Sequence, residues 1–88
     1  MEMASASERM RQSVSEIFQG FVEQHADLFG PVLKKSKANN PPSATELAEL
    51  FLAGIEGAIV VGKAYADSTP IRRAIKTFKT LFQALLDN

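Results

Sequence analysis

The chain has no cysteine, no tryptophan and a single histidine, and neither charge is in excess: ten Lys+Arg offset ten Asp+Glu over 88 residues. Without Cys there is no disulfide and no thiolate nucleophile or metal ligand, and one His cannot complete a ligand set. A zero net charge gives no global attraction to nucleic acid or to an anionic membrane. No Gly-x-Ser-x-Gly and no Gly-rich phosphate loop occurs. Glu49 and Glu56 share a helix face about 10 Å apart by helix rise, but two carboxylates alone do not make a hydrolase. No enzyme, metal or cofactor is expected. Met1 to Arg11 lacks the apolar stretch of a signal peptide, and the absence of Cys fits the cytoplasm.

What is present is enough apolar residue, 45%, for one small helical domain spanning residues 1–88. A chain this short buries only about 60–65% of its unfolded surface, so it gains stability by associating. No run alternates as a strand does, and apolar positions recur at three and four. The expected fold is all-α, with three helices. The first runs from about Ser7 to Lys37, facing inward with Met10, Val14, Ile17, Phe18, Phe21, His25, Leu28, Phe29 and Val32. Pro31 removes a hydrogen bond and crowds the Asp27 carbonyl. The helix therefore kinks there or breaks and restarts, and the unbroken phase favours a kink. Lys34, Lys35 and Lys37 read as a solvated last turn, complementing the helix dipole. Asn39-Asn40-Pro41-Pro42 then ends the helix.

Ser43-Ala44-Thr45-Glu46 has the form of a capping box and opens a second helix reaching about Ala66. Leu47, Leu50, Phe51, Leu52, Ile55, Ile59, Val60 and Val61 make it apolar nearly all round, which predicts burial on all sides. Glu49 and Glu56 interrupt the run well short of a membrane span. Gly54, Ala58, Gly62 and Ala66, spaced by four, form a small-residue stripe that admits a close helix. A third helix follows Asp67-Ser68, with Thr69 as N-cap and Pro70 first in the helix. Its apolar stripe is Ile71, Ala74, Ile75, Phe78, Leu81, Phe82, Leu85 and Leu86. Arg72, Arg73, Lys76 and Lys79 lie opposite, solvated or paired with Glu49 or Glu56.

Two neighbours within 88 residues cannot cover an all-round apolar helix, and the commonest further partner is a second copy. The expected interface of this homodimer is Gly54, Ala58 and Gly62, with Ile71, Ile75, Phe78, Phe82 and Leu85 filling around them. A cleft between the first two helices is the expected place for a small apolar ligand, lined by Phe18, Phe21, His25, Phe29, Phe51 and Ile55, with His25 as polar handle. Tyr65, near a helix end, is expected to pack its ring and wet its hydroxyl.

Ala48-Glu49-Leu50-Phe51-Leu52-Ala53-Gly54-Ile55-Glu56-Gly57-Ala58-Ile59-Val60-Val61-Gly62-Lys63-Ala64, with Asp67-Ser68-Thr69-Pro70-Ile71-Arg72-Arg73-Ala74 after it, resembles the last two helices of the regulatory domain of tetracycline-repressor-type (TetR/AcrR) transcriptional regulators. Residues 7–40 look like the preceding long helix. The resemblance implies that the last two helices pair with those of a mate as a four-helix dimer bundle, and that the preceding helices enclose an effector pocket. It also implies cytoplasmic location and DNA binding through a helix-turn-helix domain that these residues do not contain. The competing readings are a free-standing helical protein–protein interaction module and a helix protein lying on a membrane surface.

Overall fold

A computed structural model describes residues 2–87, with side chains from residue 6 onward. Three helices follow one another: α1 (Glu2–Leu33), α2 (Ala44–Tyr65) and α3 (Thr69–Asp87). There is no strand among the described residues.

Helix α1 starts earlier than the periodicity predicts, because residues 2–6 include good helix formers and no breaker. It passes without interruption through Gly30-Pro31 but stops at Leu33, short of the expected Lys37. Lys34 N–H still reaches the Gly30 carbonyl at 3.1 Å, but Lys35 and Ser36 donate to Val32 and Leu33, only three residues back. The turn tightens and the chain leaves the helix. Lys34, Lys35 and Lys37 thus lie in an exposed loop beyond the last helical turn. Ser36 secures that loop by donating its hydroxyl to the Leu85 carbonyl near the end of α3.

The capping box opens α2 as expected. Ser43 Oγ accepts from the Glu46 N–H at 3.0 Å, and the Glu46 carboxylate accepts from the Ser43 N–H at 2.9 Å. The Ser43 N–H foremost, and the Ser43 hydroxyl after it, hold the Glu46 carboxyl below its ordinary value. At the other end Ala66 is left-handed, with φ 53 and ψ 44. Ala66 N–H reaches the Lys63 carbonyl at 3.2 Å and Asp67 N–H reaches that of Gly62 at 2.9 Å, the paired bonds of a Schellman ending.

The start of α3 departs from expectation. Thr69 is inside the helix rather than its N-cap. Ser68 supplies the cap carbonyl, accepting from Arg72 N–H at 3.3 Å. The Asp67 carboxylate accepts from both the Thr69 N–H and its hydroxyl, at 3.0 and 2.8 Å, and these bonds keep its pKa below the ordinary value. An aspartate two residues upstream thereby performs the capping that the sequence pattern assigned to Thr69.

The chain order of contacts shows α2 antiparallel to α1, and a turn of three residues after Tyr65 brings α3 back along α2. Gly30, late in α1, meets Ala44 at the start of α2, whereas Phe21 meets Phe51 further along. On the other side, Phe51 meets Phe78. Helices α1 and α3 touch little, so α2 lies between them in a body of 53 × 30 × 17 Å. This is close to a single layer of helices, whereas a self-sufficient domain packs at least two.

The consequence for burial is direct. Leu33, Leu47, Ala48 and Ala58 are the only buried hydrophobics among the described residues. Five side chains of the predicted inward stripe of α1 face solvent instead: Met10, Val14, Ile17, Phe18 and Leu28. Helix α2 is not covered on all sides, since Leu50, Val60 and Val61 are exposed. Tyr65 is exposed too, ring included, in place of the packed ring expected. Pairing of Glu49 or Glu56 with the basic face of α3 does not occur: Glu8 with Arg11 is the one ion pair among the described residues.

Candidate functional site

Helical spacing of four puts Phe21, His25, Phe29 and Leu33 on one face of α1, and Phe51 on α2 faces them. The rings form a continuous cluster. Phe21 stacks on His25 at 3.9 Å between centroids, and His25 lies 5.4 Å from Phe51. Phe29 stands edge-on to Phe51 at 6.2 Å and lies 5.2 Å from Phe82. Phe78 closes the group at 4.6 Å from Phe51. His25 Nδ1 is 2.8 Å from the Phe21 carbonyl. A carbonyl only accepts, so this nitrogen carries the hydrogen. His25 is thus a half-buried member of the joint between the helices, oriented by its own helix.

Two grooves flank α2. The first, of about 970 Å³, runs between α1 and α2. Val14, Phe18, Val22 and Ala26 line it from α1, and Leu52 and Ala53 line it from α2. Glu23, Asp27, Glu49 and Glu56 also line it, as does Arg11, whose guanidinium is engaged by Glu8. The second, of about 430 Å³, lies between α2 and α3. Leu50, Gly54, Gly57 and Val61 form its α2 wall, and Pro70, Ala74, Thr77 and Leu81 its α3 wall. At 100° per residue these two sets on α2 point roughly a third of a turn apart, so the grooves open in different directions.

The six residues expected around one cleft are therefore divided. Phe18 lines the α1/α2 groove. Phe51 and Ile55 line the α2/α3 groove. Phe21, His25 and Phe29 line neither groove and join the aromatic cluster with Phe51. The residues expected at a dimer interface divide as well. Gly54 is open, with nothing within 4 Å of a Cβ placed on it. Ile75 is exposed, and Ile71 and Leu85 are half-buried. Phe78 and Phe82 pack against Phe29 of the same chain. Ala58 is buried within the chain, and the space beside Gly62 is taken by the chain's own Asp67 carbonyl.

Leu50, Gly57, Val61 and Leu81 on one groove, and Val22 and Leu52 on the other, were missed by sequence reasoning as groove residues. The signal for them was present: 50, 54, 57 and 61 form a stripe at helical spacing, as do 14, 18 and 22. No group of three or more His, Asp or Glu able to hold a metal occurs among the described residues.

Residues 1–77 match the family of the transcriptional regulator LmrA/YxaF-like, C-terminal domain. The chain belongs to this TetR family. No curated protein and no solved structure matches it significantly. The match covers α1, α2 and the first half of α3, so the grooved helices are those of a TetR-type C-terminal regulatory domain. This is a family of non-enzymatic regulators. No described helix of this TetR domain is long and apolar enough to cross a membrane.

Proposed function

We propose that this chain is the dimerisation and effector-sensing part of a cytoplasmic TetR-type regulator, dimerising through the α2/α3 face. The observation that carries the reading is uncovered surface. The chain exposes 6785 Å², about 1,700 Å² more than the ~5,100 Å² of a compact monomer of this mass. A standard interface takes about 800 Å² from each partner. The excess is thus ample for one mate, with area left for a ligand or a further segment of the regulator.

The α2/α3 face suits a second copy. Leu50 and Leu81 are more than half exposed, and Gly54 and Gly57 leave the helix backbone open between them. A twofold axis beside α2 would set the bulky side chains of one copy over the glycines of the other, giving the four-helix arrangement. Of the residues expected at the interface, Gly54 belongs to this face, with Leu50, Val61 and Leu81 at its centre, whereas Ile71, Ile75 and Leu85 are not among the residues that line it. The α1/α2 groove, opening in another direction, serves the effector. Its volume lies within the usual range for small-molecule sites. DNA would be contacted by another part of the regulator, as these helices carry no net charge.

Sedimentation equilibrium tests the reading. A discrete dimer at tens of micromolar is the expected result. A monomer at that concentration would favour the free-standing interaction module instead.

A further inference from the structure

We infer that Arg73 sets the register of the dimer by pairing with Glu56 of the partner subunit. The inference rests on the dimer reading above and adds the orientation of the two copies. Arg73 is the one charged residue lining the α2/α3 groove among the described residues, and it is exposed. It forms no ion pair within the chain. Asp67, the acid nearest it in sequence, feels the charges of Arg72 and Arg73 but gives its hydrogen bonds to Thr69. A copy that covers this groove thus meets a single positive charge in apolar surroundings, and a covered charge is costly unless it finds a counter-charge.

Glu56 supplies that charge from the opposite side of α2. Phe51 meets Phe78 at 4.6 Å, and α3 runs back along α2. Five residues from that contact in each helix, about 7.5 Å by helix rise, Glu56 and Arg73 stand at the same level. At 100° per residue the open stripe of Leu50, Gly54, Gly57 and Val61 separates them: Phe51 and α3 lie to one side of it, Glu56 to the other. Glu56 accordingly lines the α1/α2 groove, is exposed and forms no ion pair. The two charges do not meet within one chain. A twofold axis parallel to α2 keeps each residue at its level and exchanges the two sides. It brings Arg73 of each copy to the partner's Glu56, so both pairs form at the margins of the apolar contact. An axis across α2 at that level keeps the sides and sets Arg73 against its own symmetry mate. Like charges so placed disfavour that arrangement, and the charge pattern thus selects between two ways of covering the same face.

Sedimentation equilibrium on the 88-residue chain tests the pairing by charge reversal. Arg73→Glu and Glu56→Arg should each weaken the dimer about 10-fold or more, since each sets like charges together twice. The double variant, Arg73→Glu with Glu56→Arg, should return to within about 3-fold of the parent. Both positions are exposed, so circular dichroism should stay unchanged in all three. A dimer indifferent to Arg73→Glu, or a double variant as weak as the single ones, would overturn the pairing and leave the dimer standing. So would an Arg73→Ala dimer tighter than the parent, the sign of Arg73 facing its own symmetry mate. Leu81→Glu reads the face and not the pair: a parent dimer that survives it, or a parent that is monomeric, removes the face and the pairing with it.

Discussion

The carbonyl oxygen of Asp67 lies 2.8 Å from the position that a Cβ on Gly62 would occupy. The glycine is required by the chain's own turn, which folds back over the last turn of α2. Gly62→Ala should therefore lower stability by about 1–2 kcal/mol, since a backbone oxygen must shift to admit the methyl group. Gly54→Ala should do the opposite to the isolated fold, gaining up to about 1 kcal/mol in an open helical position. Urea unfolding of both variants checks the pair, and equal effects would show that the turn does not close on Gly62 as described.

Ala66 ends α2 in the left-handed region at φ 53, where a Cβ is costly. Ala66→Gly relieves that cost but frees the unfolded chain. The expected net gain is about 0.5–1 kcal/mol, read as a rise in the thermal midpoint. A fall would mean that the Schellman ending does not form in solution.

Acid should loosen both helix starts. Glu46 and Asp67 have folded pKa values below their ordinary 4.5 and 3.8, each because it accepts hydrogen bonds at a cap. A depressed carboxyl stabilises the fold above its unfolded pKa, and the contribution is lost as pH falls through the lower folded value. The thermal midpoint should decline below about pH 4.5. Glu46→Gln should flatten the Glu46 part of that decline. Ser43→Ala should cost about 0.5–2 kcal/mol at neutral pH. A midpoint unchanged between pH 5 and pH 2 would contradict both caps.

Phe29 touches rings from both other helices: Phe51 on α2, and Phe78 and Phe82 on α3. Phe29→Ala should cost about 3 kcal/mol, the lower end for such truncations because the ring is only half-buried. Circular dichroism at 25 °C should show lost helix in so small a fold. Retained helicity with an unchanged midpoint would place the joint elsewhere.

The elements that local chemistry specifies are legible in the sequence. The capping box at Ser43 and Glu46 and the helical period of α3 need only near neighbours, and both form as expected. Expectation fails where two nearby residues compete for one role. Thr69 and Asp67 can each cap α3, and the carboxylate takes it. Similarly, Lys37 would extend α1 on its propensity, but tightening after Pro31 ends the helix at Leu33. The larger difference is one of side rather than of period. Met10, Val14 and Ile17 have helical spacing, so sequence alone places them in a core, whereas one layer of three helices has too little cover to reach them. The expected ligand residues disperse for the same reason: a stripe on one helix does not reveal which part faces a neighbour and which part faces a groove.

That shortage of cover makes the α2/α3 face the sharpest place to test association. Leu81 is 56% exposed in the single chain and lines the open groove beside Gly54 and Gly57. In a chain that stays monomeric, Leu81→Glu alters little, within about 0.5 kcal/mol. In a dimer built on this face it places a carboxylate, and its symmetry mate, in an apolar contact, and burial of an unpaired charge costs several kcal/mol. The dimer should then weaken by at least about 30-fold, the equivalent of about 2 kcal/mol. Lys79→Ala, on the exposed basic side of α3, should leave association unchanged. Sedimentation equilibrium across a concentration series reads both variants against the parent. A parent dimer that Leu81→Glu leaves intact would move the interface off this face, to the exposed side of α1 around Met10 and Ile17.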